Sequence, residues 1–195
     1  MPTAAAPAQE LFDGICYEDA LPIEFHPGPL PQAATLAGLN ADNFQLLIAD
    51  ASLDEARVPS SESKSDDDST IAEDLHRLEH KVNVLIQLVA KLVAKDQLLP
   101  ATQPWRLYSG GIEWHAAAAT FAPADTGQVL LYVSRQFPQP LRLPGLIVPG
   151  RRDETGEWVR FRFAGLSVSV TEGIERLIFR HHRRAVAGVR TLPRD

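Results

Sequence analysis

Residues 70–99 constrain this chain more than any other stretch, because their apolar side chains recur with 4–3 spacing over about four heptads. Leu75, Val82 and Val89 fall at position a, and Ile71, Leu78, Leu85, Leu92 and Leu99 at position d, with Asp96 the polar exception at a. Thr70 and Glu73 form a T-x-x-E capping box, and Pro100 stops the helix from continuing. The spacing predicts a long helix that associates with copies of itself. Ile86 and Val93 at e and Leu88 at g widen the stripe beyond a two-helix seam. Valine at a with leucine at d favours two strands. A dimer would leave those three side chains wet, however, forgoing about 1.5–3 kcal/mol each. The expected assembly is therefore a homotetramer, with a dimer second. Its contacts are assigned to Ile71, Leu75, Leu78, Val82, Leu85, Ile86, Leu88, Val89, Leu92 and Val93.

The rest of the chain is read around this helix. Residues 1–32 are rich in proline, which removes a donor and fixes φ, so they are expected to form an extended arm. Phe44, Leu47, Ile48 and Leu53 predict a helix over 41–56, packed on a barrel or a bundle and closing an N-terminal unit of residues 1–58. Residues 59–69 carry no large apolar side chain and are expected to be a flexible linker to the coiled-coil unit, 70–100. Charge divides in the same place. Residues 1–74 hold 15 acidic and 2 basic side chains, net −13, and residues 75–195 hold 10 acidic and 17 basic, net +7. An acidic half would repel nucleic acid, so no such partner is expected.

Several chemistries are excluded by what the chain lacks. A single cysteine, Cys16, allows neither an internal disulfide nor a multi-thiolate zinc site, and it reads as a small buried or half-buried apolar residue. No run approaches the roughly 20 apolar residues of a membrane span. Met1 is followed by small residues and proline rather than by a basic region and an apolar run, so a cytoplasmic protein is expected. His76-Arg77-Leu78-Glu79-His80 matches the H-x-x-E-H pattern of a zinc protease, but the heptads put both histidines on the outer face, with no cleft and no third ligand. No metal, cofactor or catalytic residue is assigned, and the protein is not expected to be an enzyme.

From residue 103 the period changes to two. Strands are predicted in PWRLYS, GIEWHAAAA, QVLLYVS, LRLPGLIV and EWVRFRFAGLSV, separated by Gly- and Pro-containing turns, and a helix over 171–187 with Thr171 as its cap. Five or six such strands suggest a small antiparallel barrel, complete within residues 101–190 and able to fold without the helix before it. The order of GQVLLYV, LRLPGLIV, WVRFRF and the terminal helix resembles that of PilZ domains, over about residues 105–187. It is most similar to the atypical, helix-extended PilZ proteins of xanthomonads. The resemblance implies an α+β fold, a six-stranded β-barrel with a C-terminal helix, preceded here by the coiled coil.

Usual members of that family bind cyclic di-GMP through R-x-x-x-R before the first strand and D/N-x-S-x-x-G on the barrel. Arginines fork onto the phosphates, and glycine lets the backbone approach the ligand. In this chain residues 96–108 hold only Arg106, and the second motif reads Leu107-Tyr108-Ser109-Gly110-Gly111-Ile112. Arg106, Ser109 and Gly111 are thus a degenerate ligand site, and cyclic di-GMP is not expected to bind. The spacing R-x-x-x-R recurs as Arg176-Arg180 and Arg180-Arg184 on the terminal helix, where it reads as a solvated face. His181 and His182, adjacent on that helix, point about 100° apart and cannot share a metal. By resemblance, the expected function is a signalling or scaffold protein acting on an unidentified signalling or pilus protein in motility, type IV pilus or virulence regulation. The alternative is a cyclic di-GMP receptor that uses other residues, such as the terminal arginines.

Overall fold

Alternating apolar residues build six antiparallel strands that close on themselves. The computed structural model describes residues 10–55, 99–115, 121–134, 139–154 and 156–190, together with residues 75, 77, 78, 81, 82, 84, 85, 88 and 89. The strands are β1 (Tyr17–Pro27), β2 (Thr102–Tyr108), β3 (Gly111–His115), β4 (Thr126–Leu131), β5 (Leu141–Asp153) and β6 (Gly156–Phe163). Around the barrel they run β1-β2-β3-β6-β5-β4. Closure removes the exposed edges that an open sheet would present. Inward positions are large and dry: Trp105, Leu107, Ile112, Leu131, Leu143 and Phe161 are each no more than 1% exposed.

The expected six-stranded barrel with a terminal helix is present, but two boundaries differ. The arm expected over residues 1–32 supplies β1, which pairs with β2 on one side and β4 on the other, so the barrel is not contained in 101–190. Tyr17, Leu21, Ile23 and Phe25 alternate inward, which outweighs the prolines. Pro22 lacks only a donor, and its carbonyl still accepts from the Tyr132 amide. The helix expected over 41–56 is α1 (Ala33–Glu55), eight residues longer at its start.

The terminal helix is α2 (Val168–Arg190). Its cap is Ser167 rather than Thr171: the Ser167 hydroxyl accepts from the Val170 amide at 3.3 Å. Val170, Ile174, Leu177 and Ile178 follow helical spacing and complete the barrel's core. α1 is held by side chains that grip backbone. Asn43, 1% exposed, donates to the Arg142 carbonyl and accepts from its amide, both at 2.8 Å. Asn40 does the same to the Gly165 carbonyl and the Ser167 amide at 3.0 Å. Asp50 of α1 pairs with Arg180 of α2.

Candidate functional site

Strand register writes a row of alternating charge across the outside of the barrel. Glu18 on β1 faces Arg106 on β2, Arg106 faces Glu113 on β3, and Glu113 faces Arg160 on β6. A bulge in β5 between Val148 and Arg151, at Pro149 and Gly150, then brings Arg151 opposite Trp158. Without that extra residue Arg151 would not aim at the row.

Glu113 is the centre of the site and is only 1% exposed. Its carboxylate accepts from Arg160 Nε at 3.0 Å, from Arg151 at 3.1 and 3.2 Å, from Tyr108 Oη at 3.3 Å and from Arg106 at 3.4 Å. Burial by itself would raise the pKa of this carboxyl. Hydrogen bonds and charge from Arg151 and Arg160 more than offset it, and Glu113 lies below the usual glutamate range. Burial and the Glu113 charge push the Tyr108 phenol up. Arg106 Nε lies 2.8 Å from Glu18, an ion-pair contact without the alignment of a hydrogen bond, and Arg151 pairs with Asp153 at 3.0 Å.

Trp158 forms the floor. The guanidinium groups of Arg106 and Arg151 lie 4.8 and 5.1 Å from its ring centre. Arginines on an aromatic face suit anions and nucleobases. Here every guanidinium already has a carboxylate, so an anionic ligand must displace Glu18 or Asp153, the two acids that reach water most.

Of the degenerate ligand site, Arg106 joins this cluster, Ser109 sits exposed in the β2–β3 turn, and Gly111 is buried. A Cβ at Gly111 would come 2.6 Å from the Phe161 carbonyl, so the glycine serves strand packing and leaves no open approach for a ligand. Glu113, Arg151, Trp158 and Arg160 were missed by motif. Alternation around Ile112, Trp114, Val159 and Phe161 marks Glu113 and Arg160 as outward, but it carries no sign that they meet.

The terminal arginines do not converge. Arg180 is taken by Asp50, Arg176 lies 3.5 Å from Glu172, and Arg183 is exposed. His181 stacks on Tyr17 with ring centres 3.7 Å apart, while His182 is exposed. Among the described residues no group of three or more His, Cys, Asp or Glu side chains is placed to hold a metal. His76, Glu79 and His80 lie outside the described residues, as do residues 59–69.

Of the predicted assembly contacts, Leu75, Leu78, Val82, Leu85, Leu88 and Val89 are helical and 45–60% exposed. Val84 beside them is 40% exposed. Ile71, Ile86, Leu92 and Val93 lie outside the described residues. No helix among the described residues is long and apolar enough to cross a membrane.

Comparison with known proteins adds three structures and a family. A Xanthomonas campestris protein described as a tetrameric PilZ domain self-assembled through a helical bundle is 27% identical, with a TM-score of 0.73. The match covers 92% of this chain and 94% of that one. The inhibitor of motility of Bacillus subtilis is 10% identical, over 44% of this chain and 42% of its own, with a TM-score of 0.34. The PilZ domain of YcgR from Escherichia coli, with cyclic di-GMP, is 18% identical, over 47% of this chain and 81% of its own, with a TM-score of 0.35. No curated protein matches. The family model described as "Atypical PilZ domain, cyclic di-GMP receptor" matches residues 47–191. With that match over most of its length, on a barrel closed by β1 and capped by α2, the chain belongs to the atypical PilZ domain family.

Proposed function

We propose that this protein is a cytoplasmic, non-catalytic signalling module: an atypical PilZ barrel gathered into a tetramer by its coiled-coil helix and acting through protein contacts. Its pathway would be motility, type IV pilus or virulence regulation. The observation that carries the reading is the exposed stripe at Leu75, Leu78, Val82, Leu85, Leu88 and Val89. Burying half of each such side chain contributes about 1 kcal/mol, so one chain gains several kcal/mol from assembly. The Xanthomonas campestris protein, described as tetrameric through a helical bundle, supports the same geometry. Size exclusion with light scattering tests it: the expected mass at micromolar concentration is four chains. Two chains would select the dimer, and one chain would remove the scaffold reading.

A second reading is a cyclic di-GMP receptor that uses residues outside the two broken motifs. The family's description favours it, as does the pair of arginines on Trp158. The engaged guanidinium groups favour the first. Calorimetry is expected to show no binding of cyclic di-GMP by the wild type. A low-micromolar or tighter dissociation constant, abolished by Arg151→Ala, would establish the second reading instead.

A further inference from the structure

β1 is divided between its two neighbours rather than paired on both edges along its length. Residues 17–22 face β2, residues 23–27 face β4, and among the described residues no strand lies on the other edge of residues 17–21. The Pro22 carbonyl, which accepts from the Tyr132 amide at 3.2 Å, shows which way that edge points. Main-chain groups alternate between the two edges of an antiparallel strand, so those of Glu18 and Ala20 point the same way as the Pro22 carbonyl. Pro104, opposite Ala20, has no N–H to give it, in keeping with that alternation. The ladder to β4 thus stops short of Glu18 and Ala20, both exposed. The Ala20 amide donates to the adjacent Asp19 carboxylate at 2.7 Å, a local bond that an incoming carbonyl can replace.

A groove runs along this edge. Residues 14–19 line one side, His181, His182, Arg184 and Ala185 of α2 line the other, and it encloses about 900 Å³. That lies within the roughly 300–1,000 Å³ usual for binding clefts. Its floor is fixed: Tyr17, 5% exposed, stacks on His181 with ring centres 3.7 Å apart, meets Trp105 edge to face at 5.0 Å and donates to Asp19 at 2.7 Å. α2 is thereby held beside the edge, and the groove is formed before anything enters it. A helix facing a strand edge with main-chain groups to offer is the geometry in which an extended peptide adds as a further strand. Donors and acceptors repeating along an edge are matched by another main chain, so the occupant is polypeptide. Charge sets its side chains. Those of an added strand that point to the side of Tyr17 and Asp19 meet His182 and Arg184, exposed members of a helix half with no acidic residue between 176 and 190.

We propose that β1 and α2 form a strand-addition groove for an extended segment of a partner protein that carries acidic side chains at every second position. This rests on the reading of a protein that acts through contacts, and it names the form of one partner. The groove takes no residue from the coiled-coil stripe.

The probe is a random linear heptapeptide phage library selected on the immobilised full chain, with enriched peptides synthesised and titrated by anisotropy. The expected pool carries Asp or Glu at alternate positions and binds in the micromolar range. No enrichment, or a pool without that alternation, overturns the proposal. Glu18→Pro removes the edge amide and leaves the β2 ladder intact, because Glu18 is not a hydrogen-bonded pair with Arg106. It is expected to bind at least tenfold more weakly than Glu18→Ala, which keeps the amide and loses the same charge. Equal affinity of the two overturns the proposal. Should Glu18→Pro fail to fold, N-methylation of the peptide decides on the wild type: a tenfold loss at every second amide is expected, and no loss at any amide overturns the proposal. Light scattering on the same samples reports assembly separately, so failure of the groove and failure of the scaffold reading are distinguishable.

Discussion

Glu113 is a buried carboxylate on the outside of a barrel, and it stays ionised there because arginines on three other strands converge on it. Removing its charge leaves Arg106, Arg151 and Arg160 facing one another. For a fully buried pair the loss would be 3–5 kcal/mol, but these arginines are 14–30% exposed and water screens them. Glu113→Gln is expected to cost about 2 kcal/mol at pH 7, measured by urea unfolding. The folded pKa is depressed, so the contribution is complete above the unfolded glutamate value of about 4.3 and shrinks as pH falls below it. It is gone under the folded value, where wild type and Glu113→Gln should converge. A difference that persists unchanged at pH 3 would show that shape, not charge, is what Glu113 supplies. Sequence shows this residue as outward-facing and nothing more. Its partners are 5, 7, 38 and 47 positions away, and only register brings them together.

Among the elements, β1 and α1 depart most from their sequence expectations, each for a definite reason. β1 is masked by its prolines, although its inward residues keep strict alternation and its carbonyls remain usable. A fragment of residues 101–195 lacks β1 and so leaves β2 and β4 as open edges; it is expected to be unfolded by circular dichroism. A folded, strand-rich monomer would show that five strands suffice. α1 buries Leu39, Asn43, Leu47 and Asp50, a stripe that is half polar and therefore faint in hydropathy. Ile48, which looks like a core residue, is 44% exposed. Asn43→Ala removes two hydrogen bonds and leaves a backbone amide and carbonyl of β5 unsatisfied. The expected loss is about 2–3 kcal/mol in chemical unfolding.

At the scale of the whole molecule, the unanswered surface is the set of exposed helical side chains Leu75, Leu78, Val82, Leu85, Leu88 and Val89. Leu85 and Val89, 60% and 59% exposed, sit midway along the stripe. Replacing both with aspartate would place several unpaired charges in any bundle, each costing several kcal/mol unless neutralised. Leu85→Asp/Val89→Asp is expected to run as one chain by light scattering, with the strand signal of the barrel retained. Loss of that strand signal instead would mean that the helix packs on the barrel itself.

Sequence alone determined the order of strands from β2 to β6 and the presence of the terminal helix, because period and turn residues are local and read within a few positions. The resemblance to PilZ domains followed from that order, and so did the loss of both ligand motifs. Tertiary structure alone decided that Tyr17–Pro27 closes the barrel and that a β5 bulge swings Arg151 onto Trp158. It also decided that Glu113 gathers three arginines, and that Leu11 and Phe12 lie on Gly110 and Gly111. Each of these joins segments distant in sequence, and their meeting depends on strand register, where a shift of one residue would turn every one of those side chains to the opposite face of the sheet.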